Sequence, residues 1–275
     1  GNIKQKEWIG YHDKDIHHLP FPYPWLVKNK NVENFLENSI KKLKKKVNLK
    51  KDICGVMIET FQGWGAVFYP KEYIKLLFKI CKKNDILITF DEMQAGFGRT
   101  GKNFGFQHYE IIPDLICCGK GMGGGVALSG VIGKKKIMDL PEVGNMSSTH
   151  SANPIACSAG LAVLEEIQYK KLTYKTSLKG KLLHKNLNKI KKNFPKLINI
   201  YGKGLIAAMV FDKNHKNINK KLKKLVEICM KEGLLLVYTG RESVKLGPPL
   251  TITKNAINEG CKIIEKNIKL IFKNE

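Results

Sequence analysis

Two stretches decide the fold of this chain, Ile53-Cys-Gly-Val-Met-Ile-Glu59 and Ile86-Leu-Ile-Thr-Phe-Asp91. Each is an apolar run of strand length that ends in a carboxylate, and such runs are typical of parallel strands covered on both faces. Between them, apolar side chains recur at helical spacing from about Pro70 to Asn84. A strand, a helix and a second strand form the right-handed crossover unit of an α/β sheet.

The same pattern continues along the chain. Two more apolar runs, Leu115 to Cys118 and Val126 to Ile132, precede a helix that we expect to begin at Asn153-Pro154, since asparagine caps helices and proline suits their first turn. From about residue 173 the composition changes to lysine-rich amphipathic helices that alternate with short apolar strands. We therefore predict an α/β large domain over residues 1–172, with a mostly parallel sheet flanked by helices, and a smaller C-terminal α+β domain over residues 173–275.

The chain has a large positive charge, but the residues that carry it do not indicate a nucleic-acid or membrane partner. The 275 residues carry a formal net charge of +24, from 48 basic and 24 acidic residues, and nucleic acids or anionic membranes are the ordinary partners of such proteins. Only Arg99 and Arg241 are arginine, however, and dedicated phosphate or base readers rely on the planar fork of arginine. The lysine excess therefore indicates genome composition, and we expect no nucleic-acid or membrane partner.

The cysteines indicate the compartment. Seven cysteines form no CxxC pair, and most fall inside apolar strand or helix patterns. This distribution favours reduced, buried thiols over a disulfide framework or a zinc site. No stretch of sequence is long enough to span a membrane. We expect a cytoplasmic protein without a bound metal.

Three charged residues, Glu59, Asp91 and Lys120, stand at the ends of predicted strands. Ligands of open parallel sheets bind beyond the carboxyl ends of the strands, so these side chains are expected to converge on one crevice. A lysine can form an imine with an aldehyde cofactor, and pyridoxal phosphate needs an acid at its pyridine nitrogen. The alternative is that Asp91 caps the next turn and that Lys120 is a solvated loop residue.

Five blocks of sequence resemble the class III aminotransferases, in the order expected of that family and over nearly the whole chain. They are Gly55 to Gly63, Phe90 to Gly101, Pro113 to Gly125, Ser148 to Cys157 and Pro248 to Thr251. The resemblance implies a pyridoxal 5'-phosphate enzyme of fold type I, usually a homodimer with shared active sites. It also implies a ping-pong reaction that moves an amino group from an amino acid or an ω-amino donor to a 2-oxo acid.

The resemblance assigns a role to each matching residue. Lys120 resembles the Schiff-base lysine, which also carries the proton between the substrate carbon and C4′ of the cofactor. Asp91 resembles the partner of the pyridinium nitrogen, and Gln94 resembles the neighbour of the ring hydroxyl. Thr149 resembles the residue that reaches the phosphate of a cofactor bound mainly by the other subunit. Glu59 occupies the position of a family glutamate near the substrate.

The chain departs from the family where a substrate carboxylate should bind. The family commonly has an arginine three residues before its Pro-Pro-Leu, and this chain has Lys245, which can pair with a carboxylate but lacks the bidentate fork. Two roles stay open for Arg241, as a substitute for that arginine or as the ion-pair partner of Glu242. The small-domain Arg-Gly of the family reads Tyr201-Gly202 here. The donor and the acceptor therefore stay open.

The family also carries an upstream turn that binds the cofactor phosphate and an aromatic residue that stacks on the ring. Gly10-Tyr-His12 faintly resembles the aromatic part of that segment, but the residues after it do not match and an ordinary loop is the favoured interpretation. We therefore expect the chain to be the C-terminal portion of the enzyme. The alternatives are an aminomutase of the same family, a catalytically incomplete relative, and a nucleotide- or polyanion-binding protein. The nucleotide alternative rests on Gly96-Phe-Gly-Arg-Thr-Gly101, which fits GxGxxG but is weak evidence alone.

Overall fold

The structure is a computed structural model that describes residues 7–10, 13–27 and 31–272. Tyr11 and His12, which belong to the faint upstream match, lie outside the described residues. The chain divides into two compact units, one made of Gly1–Val56 and Tyr69–Leu87 and the other made of Met57–Phe68 and Ile88–Glu275. The domain boundary near residue 173 stays a prediction.

Helices and strands alternate along the chain. The helices are α1 (Val32–Lys44), α2 (Leu49–Asp52), α3 (Lys71–Lys83), α4 (Lys135–Met138), α5 (Pro154–Tyr169), α6 (Leu172–Asn193), α7 (Ile218–Lys231) and α8 (Lys254–Phe272). The strands are β1 (Gly55–Glu59), β2 (Phe61–Gln62), β3 (Val67–Phe68), β4 (Leu87–Asp91), β5 (Leu115–Cys118), β6 (Gly130–Gly133), β7 (Ile198–Lys203), β8 (Ile206–Phe211), β9 (Val237–Tyr238) and β10 (Ser243–Leu246). In the part of the chain that the structure describes, none of these helices is long and apolar enough to cross a bilayer.

The smaller unit is helical. Asn31 caps α1, because its side-chain oxygen accepts a hydrogen bond from the N–H of Glu33. Helix α1 packs against α3, and each helix buries an apolar stripe. Helix α3 occupies the stretch predicted to be helical, with Pro70 before its first turn and Asn84 after its last.

The first sheet has the strand order β1-β4-β5-β6 and is mixed but mostly parallel. Strands β4 and β5 run parallel, with Asp91 paired to Cys117, whereas β6 runs antiparallel to β5 at the edge. The predicted α/β class is therefore confirmed. The expectation that every strand is covered on both faces is wrong for β1, since Met57 is 62% exposed.

The second sheet has the strand order β7-β8-β10-β9 and is antiparallel. Strand β8 is buried along its whole length because both of its faces are covered. Alternate residues from Ala207 to Phe211 pack in a core shared with α6, α7 and α8. The residues between them, from Ile206 to Val210, pack with Phe61 and Ala66 around the β2–β3 hairpin. The core of the C-terminal sheet thus reaches the segment directly after Glu59.

Other predicted elements are realised in part. Helix α5 begins at Pro154, and Oδ1 of Asn153 accepts a hydrogen bond of 2.9 Å from the N–H of Ile155, so the predicted cap is present. Helix α5 is apolar on most of its surface, yet Leu161 and Leu164 are exposed. A helix that is apolar all round is normally buried. The described residues therefore leave one apolar side of α5 uncovered.

Candidate active site

Asp91 and Lys120 lie at the same edge of the first sheet. Asp91 is the last residue of β4, and Lys120 begins a 3-10 turn just after β5, the parallel neighbour of β4. Lys120 has a φ of 44°, in the left-handed region, so the chain turns sharply at this residue. The carboxyl ends of parallel strands form the ligand-binding edge of such sheets.

Glu59, at the end of β1, is electrostatically coupled to both residues. Burial of its carboxyl group raises the pKa of Glu59, although the residue keeps contact with solvent, and the Asp91 carboxylate raises it further. The N–H of Gly63 and the ammonium groups of Lys120 and Lys245 lower that pKa. The pKa of a carboxyl group responds in this way to charged groups in its neighbourhood. Three strand ends and β10 therefore contribute charged groups to one site.

The carboxylate of Asp91 also has a structural role. Its Oδ1 accepts a hydrogen bond of 2.9 Å from the N–H of Met93, so Asp91 caps the turn that follows β4. Capping was the alternative to a cofactor role. The two roles are compatible because a carboxylate accepts hydrogen bonds at either oxygen. The cap also fixes the orientation of the group at the sheet edge.

Glu92 is completely buried and holds the loop behind Asp91. Its Oε1 accepts hydrogen bonds from the hydroxyl of Thr60 and, at 2.7 Å, from the N–H of Phe106. Its Oε2 accepts a hydrogen bond of 2.7 Å from the N–H of Gly105. Burial raises the pKa of Glu92, and these hydrogen bonds act against that rise. The end of β4 is thus anchored to a loop that begins more than ten residues later.

Gly63 brings Glu59 and Gln94 close together. A Cβ atom at Gly63 would lie 3.3 Å from Oε1 of Glu59 and 3.4 Å from Oε1 of Gln94. The N–H of Gly63 lowers the pKa of the Glu59 carboxyl group, and the carbonyl of Gly63 accepts a hydrogen bond of 3.1 Å from Nζ of Lys245. One peptide segment therefore connects the two charged side chains. The tight spacing explains a glycine at this position.

Strand β10 and the segment just before it contact the Gly63–Trp64 turn through side chains at every second position. The guanidinium carbon of Arg241 lies 4.2 Å from the centre of the Trp64 ring. The hydroxyl of Ser243 donates a hydrogen bond of 3.1 Å to the carbonyl of Trp64. Lys245 follows on the same face. The structure thus places Arg241 on an indole ring rather than in an ion pair with Glu242.

A cavity of about 880 Å³ opens at this edge of the molecule and is lined in part by Gln94, Lys120 and Lys245. Val163 and Leu250 also line the cavity. A cavity of this size is large enough for a cofactor together with a small substrate.

Two cationic side chains hold one wall of the cavity. Nη1 of Arg99 donates hydrogen bonds to the carbonyls of Leu205 and Pro248. Nζ of Lys179 donates to the carbonyls of Leu250, at 2.5 Å, and of Ile252, at 2.9 Å. The segment from Pro248 to Ile252 is therefore fixed by its backbone carbonyls, in spite of its two prolines.

The glycines of residues 96–101 serve packing rather than phosphate binding. Turns follow β4 here, whereas a dinucleotide loop opens a helix. Gly98 and Gly101 have positive φ angles, and a Cβ atom at these positions would lie 3.2 Å from Thr173 and 3.2 Å from Ser177, respectively. The segment thus lies against helix α6. The nucleotide-binding alternative loses its structural basis.

Thr149 lies apart from the other predicted site residues. Every residue from 138 to 155 is exposed, and Thr149 is part of this segment. The structure brings Glu59, Asp91, Gln94, Lys120 and Lys245 together by the contacts described above. It does not bring Thr149 to them. The functional roles of all six residues stay predictions.

Sequence reasoning missed Trp64, Arg99 and Lys179 as parts of the site. The rarity of arginine was a usable signal for Arg99, because 48 basic residues include only two arginines. Gly63 is the last residue of a matched block and Trp64 follows it directly, but neither was assigned a role. Lys179 had no signal, since it is one lysine among many on an amphipathic helix.

The fold and the site define a member of a known family. The family model of the class-III aminotransferases matches residues 2–268, and the chain belongs to this family. Enzymes of this family use pyridoxal 5'-phosphate. Acetylornithine aminotransferase from Prochlorococcus marinus is 38% identical over 215 residues, which cover 76% of this chain and 50% of the relative.

Two further proteins are similar to this chain. A leucine/methionine racemase from Thermococcus litoralis is 34% identical over 221 residues, which cover 78% of this chain and 50% of the relative. The solved structure of an ornithine aminotransferase from Plasmodium yoelii superposes with a TM-score of 0.77 at 30% identity, covering 86% of this chain and 61% of that one. The chain spans about half the length of the curated relatives it matches.

The described residues fit the cofactor of the family. An amine, Lys120, and a carboxylate, Asp91, share one sheet edge, as an aldehyde with a basic ring nitrogen requires. Between them the chain has no room for a side chain, since a Cβ atom at Gly119 would lie 2.4 Å from Sδ of Met93. Over residues 7–10, 13–27 and 31–272, no group of three or more His, Cys, Asp or Glu side chains is placed to hold a metal ion.

Proposed function

We propose that the protein is a pyridoxal 5'-phosphate-dependent aminotransferase that moves an amino group from an amino acid or an ω-amino donor to a 2-oxo acid in a ping-pong reaction. One observation carries this proposal. Lys120 and Asp91 close neighbouring parallel strands, and both interact electrostatically with Glu59. The family supports the same conclusion.

Each residue of the site has a task in this reaction. Lys120 would hold the cofactor covalently through Nζ and, once the donor has displaced it, would take the proton from the amino-bearing carbon. Asp91 would hold a proton on the ring nitrogen, and Gln94 would contact the ring hydroxyl. When bound, the cofactor supplies an electron sink for the carbon that loses its proton. Glu59 and Lys245 would face the substrate.

The proposal includes a homodimer in the cytoplasm. Thr149 would reach the cofactor phosphate of the second subunit, and its place in an exposed segment supports a contact made between chains. The free cysteines support a reducing compartment. Crosslinking of Cys variants at Thr149 with the full-length protein tests the shared site, and a purely monomeric enzyme with full activity would contradict it.

Borohydride trapping tests the central assignment. The full-length protein with pyridoxal phosphate should show an absorbance band that borohydride removes, with the cofactor mass then fixed on the peptide that contains Lys120. Lys120→Ala should abolish both signals. Lys135→Ala, an exposed lysine on α4, is the matched control and should retain them. Trapping that persists in Lys120→Ala refutes the assignment.

A second candidate is an isomerisation of an amino acid, either racemisation or migration of the amino group. The 34% identity to a racemase favours it, because both reactions begin with removal of a proton from the amino-bearing carbon. The two candidates differ in their need for an acceptor. Solvent deuterium should enter a recovered amino acid in the absence of a 2-oxo acid if isomerisation is the reaction. A strict requirement for the 2-oxo acid supports transamination.

A further inference from the structure

Glu92 lies directly after Asp91, and its side chain and backbone connect the ends of three strands. Oε1 of Glu92 accepts a hydrogen bond from the hydroxyl of Thr60, which follows Glu59 at the end of β1. The N–H of Glu92 donates a hydrogen bond of 2.9 Å to the carbonyl of Cys117 in β5. One residue therefore holds together the ends of β1, β4 and β5, where the three charged groups predicted at strand ends stand.

Thr60 is completely buried and is also held by the loop that Glu92 anchors. The hydroxyl of Tyr109 donates a hydrogen bond of 2.5 Å to the carbonyl of Thr60. A Cβ atom at Gly105 would lie 2.7 Å from Cγ2 of Thr60, so the backbone of the loop packs on its methyl group. The Thr60 side chain therefore has contacts on its methyl group as well as on its hydroxyl, and its backbone is tied to Tyr109.

Among the residues that the structure describes, no cationic side chain pairs with the Glu92 carboxylate. A buried charge without a counter-ion is costly, so this residue type needs a structural reason. The reason is its three donors, which are the Thr60 hydroxyl and the N–H groups of Gly105 and Phe106. An unprotonated carboxylate only accepts hydrogen bonds, whereas an amide of similar size would turn its own N–H groups towards one of these donors. A carboxylate therefore serves both the strand end and the loop.

We propose that Thr60 and Glu92 are positioning residues for the reaction, whose hydrogen bond fixes the separation of the two active-site carboxylates. These carboxylates, Glu59 and Asp91, are the residues directly before them, and they repel one another as like charges do. Thr60 and Glu92 are completely buried, so they act through their neighbours and do not touch the substrate. This inference rests on the proposed aminotransferase activity.

Kinetics of the full-length enzyme test the positioning role. Thr60→Val keeps the shape of the side chain but removes the hydroxyl group, whereas Thr60→Ser keeps the hydroxyl group. Thr60→Val should lower kcat about tenfold to a hundredfold and leave the KM of the amino donor unchanged, because a misplacement of about 1 Å can cost a hundredfold in rate. Thr60→Ser should restore most of the rate. A kcat that is equal in Thr60→Val and the wild type overturns the proposal.

NMR of isotope-labelled glutamate carboxyl groups provides a readout that does not depend on turnover. In the wild type the pKa of Glu59 should lie above its ordinary value, because of burial and of the Asp91 carboxylate. In Thr60→Val this pKa should fall towards the ordinary value, since the two carboxylates can move apart and water can enter. Ile264→Val, which removes one carbon from the C-terminal core, is the control for a general loss of stability and should leave the pKa of Glu59 unchanged.

The outcomes separate this inference from the proposed function. Failure of cofactor trapping on Lys120, together with a Glu59 pKa that falls in Thr60→Val, refutes the aminotransferase assignment alone. Normal trapping with a Glu59 pKa that is equal in Thr60→Val and the wild type refutes the present inference alone. If Thr60→Val does not fold, Tyr109→Phe removes only the hydrogen bond to the Thr60 carbonyl. The Glu59 pKa should then fall by a smaller amount, and an unchanged pKa overturns the proposal.

Discussion

Removal of the Glu92 carboxylate should destabilise the loop behind the active-site edge. In Glu92→Ala, the N–H groups of Gly105 and Phe106 lose their acceptors, and Glu92 is completely buried, so water does not replace them. An unsatisfied buried donor costs about 1–3 kcal/mol, and two of them therefore cost about 2–6 kcal/mol. The hydroxyl of Thr60 is left out of this sum because it can rotate to another acceptor.

Glu92→Gln is the matched control for the alanine variant. It keeps the volume of the side chain and one acceptor oxygen, so a single backbone N–H faces the new amide donor. The penalty from unpaired donors should then be about half of that in Glu92→Ala. Both variants are compared with the wild type by urea unfolding, with amide exchange measured residue by residue.

The exchange measurement locates the effect. In Glu92→Ala, the amides of Gly105 and Phe106 should exchange at least about tenfold faster, because 1.4 kcal/mol corresponds to a factor of ten. Amides in the C-terminal sheet should change less. If the free energy of unfolding of Glu92→Ala stays within about 0.5 kcal/mol of the wild type, as for an ordinary surface substitution, the reasoning is wrong.

Three further predictions concern backbone contact, pH and the cavity wall. Gly204→Ala should lower the melting temperature sharply, because its Cβ would lie 2.3 Å from the carbonyl carbon of Thr100 and its φ is +58°; an unchanged melting temperature would contradict this. Burial lowers the pKa of His108 to about 4, so the folded protein disfavours the protonated imidazole. The free energy of unfolding should therefore fall as the pH drops from about 6.5 towards 4. His108→Phe should reduce this dependence on pH, and an equal dependence in both proteins would show that His108 does not cause it. If the proposed function is right, Lys179→Met should raise the KM of the amino donor, because the carbonyls of Leu250 and Ile252 lose the ammonium group that fixes this wall of the cavity. Lys181→Met, at an exposed position of the same helix, is the control. Equal kinetics in the two variants would contradict a role of Lys179 in shaping the cavity.

The strand ends of the site could be predicted from the sequence because the rule behind them is local. Apolar runs that end in Asp91 and just before Lys120 identify parallel strands, and the carboxyl ends of such strands share an edge. The role of Gly63 could not be predicted in this way. Its contact with Lys245 joins residues 182 positions apart and depends on strand β10, which pattern reasoning missed.

Strand β10 was missed for a physical reason. The run from Ser243 to Leu246 alternates polar and apolar side chains, as a half-buried strand does, but at four residues it is the shortest run in which that alternation indicates a strand. It is a strand because β8 pairs with it on one side and β9 on the other. Helix α5 illustrates the converse: its apolar periodicity predicts a buried helix, but no sequence pattern tells which chain segment covers it.

The packing of the β2–β3 hairpin on β8 links the candidate site to the C-terminal sheet. The hairpin emerges from the first sheet but shares its core with the second, so the Gly63–Trp64 turn is mechanically part of the C-terminal sheet. Hydrogen bonds from Ser243 and Lys245 join the turn to β10, whereas Lys120 follows β5 of the first sheet. The turn beside Glu59 therefore depends on the packing of the C-terminal sheet as well as on the first sheet.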